Sequence, residues 1–176
     1  MNLSTLKYIA LLFVVIFIQL FILNNLFLGS SHSFLFQPQM LVFFLILLPI
    51  DFSHLKMLII SFLSGLLFDL FFNSWGVHAA ICTFIGFYRF YFVKDIDKEI
   101  ASRSDDNDIW TSKKSKAWKL VYFSTFIFIY HFLFILIDSL GQNLITYVFP
   151  AALVSSAVVF ILSLILENLL FKPAKN

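Results

Sequence analysis

The stretch HLKMLIISFLSGLLFDLFFNSWGVHAAICTFIGFYRFYFV, residues 54–93, decides the fold. It holds two apolar runs, 54–72 and 76–93, separated only by Asn73, Ser74 and Trp75. Each approaches the ~20 residues an α-helix needs to cross a hydrocarbon core about 30 Å thick. Neither run alternates apolar and polar residues as a barrel strand would. Lipid offers backbone amides and carbonyls no partner, so such runs must satisfy themselves as helices. The pair reads as a transmembrane helical hairpin.

Four further segments extend the pattern: about 6–28, 38–50, 119–139 and 149–171, the last with Pro150 placed as its first helical residue. The expectation is one all-α integral membrane domain over 1–176, a six-helix transmembrane bundle with a hydrophilic loop at 94–118. The segment at 38–50 spans only about 20 Å as a helix. It is therefore tilted, partly re-entrant or packed behind its neighbours. No small-residue cleavage site follows the first segment at Asn24-Asn25, so that segment is expected to stay attached.

Composition agrees. Of 176 residues, 61% are hydrophobic and 12% charged, against about 25% charged in soluble domains. Mean hydropathy is +0.95. These values exclude a water-soluble fold and disorder. A net charge of +2 gives no footprint for nucleic acid. The single Cys82 excludes an internal disulfide. All twelve Lys and Arg residues fall on one side of the six-helix arrangement, which places both termini in the cytoplasm. The basic end of the long loop, Lys113 to Lys119, is suited to anionic membrane lipid.

Polar residues within the apolar runs are the candidates for function. Ser61, Gly65, Asp69 and Asn73 recur every four residues and share a helix face. Gly76, Ala79, Thr83 and Gly86 form a second face of small residues, suited to close helix packing, and His78 starts that helix. Asp69 faces the bundle, either anchoring the turn by binding free amides near Gly76 or serving a ligand or partner. Gln19, Asn24, His131 and Asp138 reach a similar level and define a possible outer polar vestibule. Arg89 is expected to snorkel to the cytoplasmic surface, Ser124, His131 and Asp138 to share one face, and Glu167 to pair with Lys172. Nucleophile-elbow, zinc-protease and phosphate-loop motifs are absent, and the four histidines have no metal-ligand spacing. The expectation is therefore no enzyme, no cofactor and no metal.

The run Phe62 to Phe71, leading into Trp75-Gly76-Val77-His78-Ala79-Ala80, has a G-L-x-x-D helix end, a short turn and a G-x-H-A-A helix start. With Pro38-Gln39-Met40, Leu48-Pro49, Asn24-Asn25 and Pro150, it resembles the rod shape-determining protein MreD family. Gly65, Asp69, Gly76 and His78 match the motif. The resemblance implies a multi-pass protein of the bacterial inner membrane, without catalysis. Such a protein binds the bitopic MreC and belongs to the cell-wall elongation machinery with MreB, a RodA-type glycosyltransferase and its transpeptidase. It also implies a fold like the substrate-binding subunits of energy-coupling-factor vitamin transporters. The alternative function is such a subunit, but its usual first-helix alanine pair is missing here: Ala10 is followed four residues later by Val14.

Overall fold

A computed structural model describes residues 3–25, 36–50, 52–96, 111, 114–140 and 143–170. Six α-helices carry the fold, and among the described residues there is no strand. They are α1 (Leu3–Ile18), α2 (Leu41–Leu47), α3 (His54–Phe72), α4 (Val77–Ile96), α5 (Lys116–Asp138) and α6 (Phe149–Leu170). Leu6–Leu23, α3, α5 and Leu144–Leu170 are long and apolar enough to cross a membrane, and α4 has a shorter apolar stretch at Val77–Val93. These are the helices of a membrane protein.

Local chemistry sets the helix ends. Ser53 and Ser115 cap α3 and α5, accepting from the amides of Lys56 and Trp118. The first helix widens into a π-helical turn at Gln19–Leu23 and stops there, with the Asn25 side-chain Nδ2 donating to the Leu20 and Phe21 carbonyls. The predicted helix runs on to residue 28; Asn24 and Asn25 instead form a turn, and residues 26–28 lie outside the described residues. The last helix begins earlier than Pro150. A π-helical turn at Leu144–Val148, capped by Asn143, leads directly into α6. Pro150 therefore sits just inside the junction, where its missing N–H is absorbed by the change of helical pitch. The loop at 94–118 is shorter than predicted, because α4 runs on to Ile96 and α5 starts at Lys116.

α3 and α4 form an antiparallel hairpin. A Cβ added at Gly65 would lie 2.6 Å from the Ala79 Cα, and one at Gly86 would strike Ser61. Farther along, His54 stacks on Phe90 at 4.7 Å between ring centroids. α5 packs on α4 and α6, and α2 lies among α1, α3, α4 and α5.

α2 departs most from the sequence reading. It has seven residues rather than thirteen, about 10 Å of helix. Residues 36–39, without regular secondary structure, and a turn at Met40 lead into it, and Leu48 leaves it at φ −57°, ψ 151°. Of the three sequence alternatives, burial behind neighbours is the one observed. Every residue from Pro38 to Leu48 is buried. The apolar run is continuous because the segment has no lipid-facing or water-facing side.

Candidate functional site: the ends of the buried helix and the α3–α4 turn

A seven-residue helix leaves most of its backbone groups without an internal partner. In a dry interior each orphan costs several kcal/mol. Polar side chains of the surrounding helices close both ends of α2. At its N-terminal end the Gln19 Oε1 accepts from the Met40 amide (2.8 Å), and its Nε2 donates to the Pro38 carbonyl (3.0 Å) and to Asn24 Oδ1 (3.3 Å). The Gln39 amide donates to His131 Nε2 at 3.0 Å. That bond fixes the tautomer: the other ring nitrogen, Nδ1, carries the proton and donates to the Ile127 carbonyl at 2.7 Å. The Gln37 amide donates to Ser155 Oγ and its side chain to Asp138 Oδ2, both at 2.9 Å.

At the other end Arg89 Nη2 donates to the carbonyls of Leu48 and, at 3.5 Å, Ile46. Arg89 Nε donates to the Tyr122 hydroxyl (2.7 Å), which donates to the Ile46 carbonyl (3.1 Å). Arg89 is only 2% exposed. Snorkelling is thus overturned: the guanidinium turns inward, where two carbonyls need donors. Glu167 pairs with Lys119 of α5 at 2.7 Å, and its expected partner Lys172 lies outside the described residues.

The α3–α4 turn is built on Asp69. Its Oδ1 accepts from the Ser74 hydroxyl and the His78 amide (3.0 Å), its Oδ2 from the Ala79 amide (2.8 Å). Gly76 precedes α4 and has no side chain to cap it, so the carboxylate of the preceding helix does so. A negative group is favoured at a helix N-terminus. Asn73 and Gly76 take left-handed conformations, φ 53° and 88°. Gly65 lets the backbone of His78 and Ala79 come close. The His78 ring is buried, stacks on Phe134 at 4.8 Å and shares a 2.7 Å hydrogen bond between Nδ1 and the Tyr130 hydroxyl.

The nine sequence candidates therefore fall into two groups. Gly65, Asp69, Asn73, Gly76 and His78 meet at the turn. Gln19, Asn24 and His131 serve the N-terminal end of α2, and Asp138 is exposed beside it, holding Gln37. Ser124 and Asp138 are exposed while His131 is buried, so those three do not share a face. Sequence reasoning missed Arg89 and Tyr122 as a pair. The available signal was the shortness of the 38–50 segment, whose ends had to find donors and acceptors on other helices. Among the described residues no group of His, Cys, Asp or Glu is placed to hold a metal ion.

A groove of about 520 Å³ opens on the outside of the bundle between α5 and α6. Ser124, Thr125, Ser156 and Ala157 lie in it, with Phe128 and Phe160 among its other lining residues.

Comparison with known proteins adds nothing to this geometry: no family model, no curated protein and no solved structure matches the chain.

Proposed function

We propose that the chain is a non-catalytic membrane scaffold of the rod shape-determining MreD kind, holding an MreC-like single-span partner for the elongation machinery. In this reading it crosses the bacterial inner membrane six times, with both termini cytoplasmic, in the arrangement of energy-coupling-factor binding subunits. The observation that carries the proposal is the division of polarity. Gln19, Arg89, Tyr122 and His131 are taken up by the backbone of α2, and Asp69 by that of α4. The bundle presents apolar helix surface to its surroundings, notched by the groove between α5 and α6. Small residues in a notch let another helix approach closely, and in lipid that packing is the main source of attraction.

Affinity capture of the full chain from gently solubilised native membranes tests this. Recovery of an MreC-like protein with elongation enzymes is expected. Ala157→Trp, which fills the exposed groove, should abolish that recovery, while Ile59→Trp on the exposed side of α3 should leave it intact. Recovery of a transmembrane coupling subunit with paired ATPases, or equal loss in both variants, would overturn the proposal.

A further inference from the structure

Trp75 combines two unusual properties. Its φ is +51°, a region that bulky residues rarely occupy and that costs about 1–3 kcal/mol. It is also 92% exposed, so packing against the described residues does little to offset that strain. Gly or Asn would fit the same backbone at less cost. The turn nevertheless holds the indole out rigidly. Asp69 fixes the chain on both sides of it, through Ser74 and through the His78 and Ala79 amides. The Val77 amide donates to the Ser74 carbonyl at 3.0 Å, closing the turn around Trp75.

Two further apolar side chains stand clear at the same end of the bundle, where α5 gives way to α6: Leu140, 82% exposed, and Ile145, 78% exposed. Among the described residues at this end, 24–25, 36–40, 73–76, 139–140 and 143–148, there is no Lys or Arg. Trp75 and Ile145 also each continue an exposed apolar stripe on the adjoining helix. Leu70, 76% exposed, and Phe71 lead up α3 to Trp75, and Phe149 and Leu153 do the same for Ile145 on α6. A surface continuous with the exposed apolar stripes, free of Lys and Arg among its described residues, bearing the carboxylate of Asp138 and tipped by Trp, suits the headgroup layer, where the indole ring finds both apolar and polar surroundings.

We infer that the Asp69-clamped turn, with Leu140 and Ile145 at the same end, forms an interfacial anchor, with Trp75 inserted into the headgroup region of the leaflet there. The anchor is independent of the scaffold proposal, since it needs no protein partner.

The test uses the full chain with Trp110 and Trp118 changed to Phe, purified and reconstituted in phosphatidylcholine vesicles. Trp75 emission should be blue-shifted relative to free indole in water and protected from acrylamide. Lipids brominated high on the acyl chain should quench it more strongly than lipids brominated near the chain end. Adding Asp69→Asn should blur this depth preference. If that variant fails to fold, the depth measured with Asp69 intact still decides the matter. Emission typical of water with full acrylamide quenching would overturn the anchor. So would protection that arises only after native membrane proteins are added back, which would make Trp75 a protein contact.

Discussion

Asp69 reaches across ten residues to bind the Ala79 amide, and its three acceptor bonds join the end of one helix to the start of the next. Removing the carboxylate strands amides that are tethered in the backbone and cannot seek water. Asp69→Ala should therefore lower stability by about 1–2 kcal/mol, as losing a strong helix cap does. Thermal unfolding in detergent measures it. Glu167→Ala should cost less and reduce partner recovery less, because the Lys119 left behind has a long stem and can carry its charge to water. Equal losses would contradict this account. Arg89→Leu removes the guanidinium donors of the Leu48 carbonyl and of the Tyr122 hydroxyl oxygen, at about 1–3 kcal/mol for each buried acceptor that loses its donor, while Ile46 keeps the Tyr122 hydroxyl. Tyr122→Phe leaves the guanidinium in place to serve Ile46, so its midpoint should fall less. The polar residues themselves were legible in the sequence, since charge and amide groups are conspicuous within apolar runs. Their partners were not. Those partners are largely backbone groups of another segment, and backbone groups leave no trace in composition.

At the scale of elements, the long helices could be read to within a few residues from apolar length alone. α2 could not, because continuous hydrophobicity measures burial and does not distinguish seven helical residues from the irregular backbone on either side. Close packing of α3 on α4 was readable from the spacing of small residues, and the structure supplies the pairing. Gly86 faces the Ser61 side chain, whereas Gly65 faces the backbone of α4. The two sites should respond differently to repair. Gly86→Ala overpacks the hairpin, at about 1–3 kcal/mol. Ser61→Gly removes the atoms it strikes, so the double variant should recover most of the lost stability in a double-mutant cycle. Gly65→Ala meets the Ala79 Cα and the His78 carbonyl, and no side-chain deletion on α4 should rescue it. Additive losses at Ser61 and Gly86 would show that the two helices do not meet there.

For the molecule as a whole, the proposed topology puts Lys56 and Trp75 on opposite sides of the membrane. With Cys82 changed to Ser, Trp75→Cys should react with an impermeant thiol reagent in spheroplasts, and Lys56→Cys only after permeabilisation. Labelling of both sites from the same side would remove the hairpin's crossing and with it the six-span arrangement. The enclosure of α2 has a further consequence, in the order of synthesis. Residue 48 leaves the ribosome well before Arg89, Tyr122 and His131, whose side chains close the two ends of α2. At about 5–20 residues per second, the proposed topology leaves the nascent chain with an unfinished crossing for several seconds. During that interval the open amides and carbonyls need water or the wall of the translocation channel. On the proposed topology this segment is completed only when α5 arrives, so substitutions at His131 should impair membrane insertion as well as the finished bundle.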